Sequence, residues 1–294
     1  MILEWYMAGG IPALRPDSEI FRFTVKINGI THILAIMNKI VAILSAGYLI
    51  CREKKSKNDS VILMIFCLST LMIFLTAMRG ELVVIFFVVG ILICCKHKIS
   101  FFRLFLLVVP IMVFIAIYPI IRKCGIYGEL FIMDQQAIST YSNIWYFSPL
   151  YQTLCDSVGV FGTVTKMFPT SYSYGIIEYS VVSQIPFVHL GRNVSAEIGD
   201  FLNSSFYSGL TSTYLGTCYA DGGVIGAFIY TFIMAVWARY IFNNYVRTKN
   251  FQNTILYAYM FYNILMLSYG NTIIELSFVI YCFVINFFSK LIKK

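Results

Sequence analysis

Seven apolar runs govern what this chain can fold into. They lie at roughly 29–51, 60–78, 80–96, 104–121, 222–243, 252–269 and 271–289. A helix needs about 20 apolar residues to cross a bilayer, and backbone groups cannot stay unpaired in lipid, so runs of this length read as transmembrane helices. Composition agrees: 59% of the 294 residues are hydrophobic and 12% are charged, against roughly 25% charged in a soluble globular domain. The chain is long enough to bury a soluble core, but so little charge could not cover it. A soluble enzyme, a disordered chain and a secreted disulfide scaffold are excluded on these grounds. The expected fold class is all-α: a polytopic integral membrane protein of about seven transmembrane helices. It carries one large extracytoplasmic loop with short amphipathic helices.

The runs 60–78 and 80–96 meet around Met78, Arg79 and Gly80, and the runs 252–269 and 271–289 turn at Tyr269, Gly270 and Asn271. Each pair is expected to form an antiparallel hairpin. Lysine and arginine then set orientation. Arg52, Lys54, Lys55 and Lys57 follow the first run; Lys96, Lys98 and Arg103 follow the third; Arg239, Arg247 and Lys249 follow the fifth; Lys290, Lys293 and Lys294 end the chain. With seven spans these fall on one side, which holds 13 of the 22 basic residues and is therefore cytoplasmic. Their placement at the ends of apolar runs also speaks against nucleic acid as the reason for the net charge of +8.

Residues 1–28 are expected to be an extracytoplasmic segment and contain no basic-then-apolar signal peptide. An external N-terminus bearing Arg15, Arg22 and Lys26 opposes the charge rule, so the chain is expected to be the C-terminal part of a longer protein with upstream spans, the plain alternative being a protein with its N-terminus outside. Residues 29–121 hold four expected spans, 122–221 the large outer loop, and 222–294 three spans and a cytoplasmic C-terminus. A loop of that length is usually functional or structured in its own right. Of eight cysteines, Cys124 and Cys155 lie in the loop and could pair, and no set has zinc spacing.

Several outer-side residues carry candidate chemistry. Arg79 is a cation against the charge trend; it either snorkels or holds a phosphate through its bidentate fork. Arg122 and Lys123 end the fourth run, either complementing a helix dipole or adding phosphate contacts. The stretch SQIPFVHLGRNVSAEIGD (183–200) gathers His189, Arg192, Glu197 and Asp200. His189 or a carboxylate could accept a proton from a hydroxyl, and Arg192 could neutralise an anionic leaving group; the plain alternative is a solvated loop. Asp221, before Gly222 and Gly223, is expected to cap the fifth span, and Gly222 with Gly226 makes a close-packing spacing. Glu275 near the start of the seventh run either complements a helix N-terminus or is functional. Lys39, the lone charge deep in the first run, is expected to snorkel toward the Lys-rich end. No Walker A loop, dinucleotide fingerprint or HExxH motif is present.

The layout resembles the Wzy-type O-antigen and oligosaccharide repeat-unit polymerases of bacteria. The resemblance rests on GGIPAL (Gly9–Leu14), TAMRGELVVIFFVVG (Thr76–Gly90), KHKIS before the next run, and TSTYLGTCYADGGVIGAF (Thr211–Phe228) after the large loop. It runs discontinuously from about residue 9 to 290, on short and loosely spaced motifs. Arg79 and Gly90 match the family's Arg-x10-Gly pattern; no second copy follows Arg192, since Asn203 stands where the glycine would be.

The resemblance implies a multi-pass glycosyltransferase of the bacterial inner membrane that joins undecaprenyl-pyrophosphate-linked repeat units into O-antigen or capsular polysaccharide. Lipopolysaccharide and polysaccharide biosynthesis is the setting the resemblance implies. The reaction would run at the extracytoplasmic face and need no cofactor or metal, because the pyrophosphate linkage carries the energy. Arg79, Arg122, Lys123 and Arg192 would bind pyrophosphate, and His189, Glu197 or Asp200 would serve as base, with Asp221 and Glu275 as further candidates. A chain-length regulator and a flippase are the implied protein partners, alongside membrane lipid. A glycan ligase of similar chemistry, or a flippase or transporter for the same lipid, is the alternative.

Overall fold

The computed structural model describes residues 2–15, 21, 29–52, 54–76, 79–97, 102, 109, 113, 158–166, 213–268 and 276–292. Among these residues all regular structure is helical. In chain order the main helices are α1 (Ile2–Ala8), α2 (Gly29–Cys51), α3 (Asp59–Leu75), α4 (Arg79–Lys96), α5 (Tyr214–Thr248), α6 (Phe251–Leu265) and α7 (Leu276–Ile292). Residues 158–166 are also helical, with Val160 and Val164 buried one turn apart and Val158 exposed. The fourth apolar run, 104–121, lies outside the described residues except for its isolated positions 109 and 113. The chain divides between residues 151 and 152 into two compact units.

In the first unit α2 packs on both α3 and α4, and α3 packs on α4. Ile40, Ala42, Ile43, Leu44 and Ala46 of α2 meet Leu82, Ile85, Val88 and Leu92 of α4 in the core, all buried. The connection from α2 to α3 is polar. The Arg52 guanidinium pairs with the Asp59 carboxylate, whose Oδ2 also accepts from the Ser56 N–H at 2.8 Å. Asp59 sits in the first turn of α3, where a negative charge complements the helix dipole. Upstream, α1 ends at Gly9, whose φ of 83° suits glycine, and the Pro12–Leu14 turn packs on α3.

The second unit is built around α6, which packs on α5 and on α7. Trp237 of α5 meets Phe278 of α7 edge-on at 5.1 Å, and Tyr259 of α6 stacks on the same Phe278 at 5.6 Å. Tyr245 and Tyr257 stack at 4.4 Å between α5 and α6. The α5–α6 corner is tied by polar groups. Lys249 caps α5 in the left-handed region, and the Asn250 side chain accepts from the Asn253 N–H at 2.8 Å to start α6. The Asn253 amide donates to Thr248 Oγ1 at 2.6 Å, and Gln252 donates to Asn286 of α7.

The outward faces are apolar. On α3, Val61, Leu63, Met64, Leu68 and Leu71 are exposed and only Ser69 and Ile73 are buried. On α5, Val224, Ile225, Phe228, Phe232 and Ile233 are exposed. Water would penalise such contiguous apolar surface. By length and apolarity together, Gly222–Thr248 is long enough to cross a membrane, with 6% of its most apolar stretch buried. Met37–Cys51 within α2, Asp59–Leu75 (α3) and Phe278–Phe288 within α7 are further apolar helical stretches. Among the described residues one helix, Gly222–Thr248, is thus clearly long and apolar enough to span.

Candidate functional site

The first unit places a charged mouth at one end of its three-helix core. The α3 helix ends at Leu75, where Thr76 donates its hydroxyl to the Ile73 carbonyl at 2.6 Å. The α4 helix opens with Arg79, Gly80 and Glu81. Arg79 therefore occupies the first helical position of α4, although its side chain lies outside what is described. Gly90, eleven residues on, is about three turns below Arg79 and on the same helix face by register, and is buried.

Glu81 does not stand alone. The Lys39 ammonium of α2 lies 2.5 Å from Glu81 Oε2, with the lysine side chain 9% exposed and the glutamate 39%. Leu82, Val83, Val84 and Ile85 are consecutive and all buried, so the turn below Glu81 is surrounded on every side. Glu81 itself is partly exposed and lies in the first turn, at the N-terminal end of α4. There Gly80 is exposed, with nothing within 4 Å of where a Cβ would stand. One residue before Lys39, the Asn38 amide donates to the Ser69 carbonyl of α3 at 3.0 Å, so adjacent polar residues tie α2 to both partners.

At the far end, the Cys51 thiol is within electrostatic reach of Cys95 and Lys96, so α2 and α4 finish at the same level. From there Lys39 is twelve residues back along α2, about 18 Å, and Glu81 is fifteen residues back along α4, about 22 Å. This corrects the expectation that Lys39 snorkels to the Lys-rich end. The distance exceeds the reach of its side chain, and a carboxylate at its own level takes the charge instead.

The second unit places a break in the segment Thr211–Phe228. Thr213 caps the start of α5, its Oγ1 accepting from the Gly216 N–H at 3.3 Å. The helix is then interrupted at Gly222 and Gly223, where Gly223 has φ 62° and ψ −150°, a conformation open to glycine almost alone. Asp221 thus immediately precedes the break, and its side chain lies outside the description. The arm 214–221 folds back on the longer arm. The Tyr214 hydroxyl has Cys218 and Thr231 as polar neighbours, yet an unbroken helix would hold residues 214 and 231 about 26 Å apart. Tyr214, Cys218 and Ala220 are buried on this arm, and burial pushes the Tyr214 phenol up from its ordinary range. Its hydroxyl is sealed from solvent without a well-formed hydrogen bond.

Arg122, Lys123, His189, Arg192, Glu197, Asp200 and Glu275 lie outside the described residues, as do Cys124 and Cys155. Of the sequence candidates, only the backbone positions of Arg79 and Asp221 are described, one in each unit. Glu81 was not among those candidates. It is a lone acid in an apolar run, and Lys39 is the lone base in another at a matching distance from the charged end. Among the described residues no group of three or more His, Cys, Asp or Glu side chains could hold a metal ion. No family model, no curated protein and no solved structure matches the chain.

Proposed function

We propose that this chain is a polymerase of undecaprenyl-pyrophosphate-linked oligosaccharide repeat units, a multi-pass glycosyltransferase of the bacterial inner membrane. The observation that carries the reading is the mouth of the α3–α4 hairpin. Arg79 opens α4 there, directly above the Lys39–Glu81 pair, at the end opposite the Lys-rich connections. By the bias of Lys and Arg to the cytoplasmic side, that mouth faces outward. The exposed apolar faces of α3 and α5 suit lipid, and several shorter helices can cross together where a single one of that length would be marginal.

The chemistry follows from the place. The donor presents a multiply charged pyrophosphate at the membrane surface. Arg79 stays charged and can grip two phosphate oxygens at once, and the α4 N-terminus adds its own positive dipole end. Arg122, Lys123 and Arg192 would supply further positive charge, and His189, Glu197, Asp200, Asp221 and Glu275 are the acidic or basic groups proposed around the acceptor. The energy for transfer resides in the sugar–pyrophosphate bond, so no nucleotide is consumed.

The test is extension in vitro. Membranes containing the full chain are given purified undecaprenyl-pyrophosphate-linked repeat unit of the host strain. The reading expects lipid-linked dimers and longer oligomers to appear, and to vanish with Arg79→Ala. Transfer of single repeats to another acceptor without chain growth would make the protein a ligase, and movement of the lipid across the bilayer without new bonds would make it a flippase.

A further inference from the structure

We propose that Glu81 is the base that takes the proton from the acceptor hydroxyl, and that Lys39 is the residue that positions it. This inference rests on the polymerase reading and names a group within that site which the sequence did not single out.

Three observations converge on Glu81. It is a carboxylate in an otherwise apolar helix, where ionisable groups are costly and are retained beside partners and pathways. It is held from below, since the Lys39 ammonium at 2.5 Å engages Oε2 while Lys39 itself is buried in the three-helix core. And it is partly exposed in the first turn of α4, above a buried turn and beside the exposed Gly80. A carboxylate has two oxygens, so Oε1 remains to accept a proton while Oε2 is held.

The two partners differ: the lysine is closed off at 9% exposed and the glutamate stands open at 39%. The lysine is also on a different helix, so it fixes the carboxylate with respect to the core of the unit. Counted from the Lys-rich end, Glu81 lies about 22 Å along a hydrocarbon layer of about 30 Å, within its outer half. The Lys39 ammonium supplies the counter-charge to the carboxylate at that depth.

The step balances. The acceptor sugar hydroxyl gives its proton to Glu81 Oε1, and its oxygen forms the new glycosidic bond to the donor's anomeric carbon. The bond between that carbon and the pyrophosphate oxygen breaks, and undecaprenyl pyrophosphate leaves as an anion. Glu81 then returns the proton to water.

The deciding experiment separates the base from the brace with a charge swap. Membranes carrying wild type, Glu81→Gln, the double variant Lys39→Met/Glu81→Gln, and the swap Lys39→Glu/Glu81→Lys are compared. Each is scored for protein abundance and for extension of purified undecaprenyl-pyrophosphate-linked repeat unit. The swap keeps an ion pair, and the double variant removes both charges, so at least one of them should accumulate normally. The inference expects that variant to fall about a hundredfold or more in turnover, with KM for the lipid-linked donor within about threefold of wild type. Lys39→Arg should retain most of the activity. Wild-type turnover in either well-accumulated variant would overturn the assignment of Glu81 and leave the polymerase reading standing. Absence of chain growth in wild type itself would overturn that reading, and this inference with it.

Discussion

The ammonium of Lys39 meets Glu81 Oε2 at 2.5 Å across the α2–α4 interface, twelve residues from the end of one helix and fifteen from the end of the other. Two charges that would each be expensive in an apolar layer cancel there. Losing one partner strands the other. Lys39→Met is expected to destabilise the first unit by about 1–3 kcal/mol, since the carboxylate it strands is partly exposed, whereas Lys39→Met/Glu81→Gln should stay within about 1 kcal/mol of wild type. Thermal melting of the detergent-purified protein decides this, and equal losses in the two variants would show that the pair does not carry the effect.

The break in α5 makes a contrasting prediction for two neighbouring glycines. Gly223 holds φ 62° and ψ −150°, so Gly223→Ala should cost about 1–3 kcal/mol or straighten the helix. Gly222 has a negative φ and open space around a would-be Cβ, so Gly222→Ala should be tolerated. Membrane abundance and limited proteolysis near the bend report both, and equal sensitivity at the two positions would contradict the bend.

The buried Tyr214 hydroxyl has no well-formed hydrogen bond. Removing a polar group that is already unsatisfied is close to neutral, so Tyr214→Phe should change stability by less than about 1 kcal/mol and in the stabilising direction. A loss of about 2 kcal/mol in a melting experiment would mean that the hydroxyl is paired with Thr231 or Cys218.

Orientation is open to direct labelling. In a cysteine-free background, a membrane-impermeant thiol reagent should modify Gly80→Cys on intact spheroplasts, since Gly80 is exposed with space around it. Lys55→Cys, in the Lys-rich connection, should react only after permeabilisation. The reverse pattern would turn the proposed mouth toward the cytoplasm.

The α2 helix was legible to the residue, 29–51, because its run stays predominantly apolar, with Lys39 its lone charge, until the basic cluster begins. The start of α5 was not. Asp221-Gly222-Gly223 reads as a helix beginning, and the long apolar arm does start at Gly222, but the short helical arm TYLGTCYA before it, capped by Thr213, carries no such signal. The α6 helix gives way to a short tight turn at Met266–Ser268 inside a run that remains apolar, which hydropathy alone does not reveal. Lys39 and Glu81 were each visible as lone charges. Their pairing depends on α2 and α4 lying side by side with their C-termini level, a tertiary fact that neither run encodes alone.

The most direct measurement of the central claim is the length distribution of the surface polysaccharide on a gel. It compares a strain lacking this gene with the same strain carrying the wild-type gene or Arg79→Ala. The account predicts that the ladder collapses to a single repeat without the gene, returns with wild type and does not return with Arg79→Ala. An unchanged ladder in the deletion strain would contradict it, and loss of the single repeat as well would assign the protein to flipping or ligation.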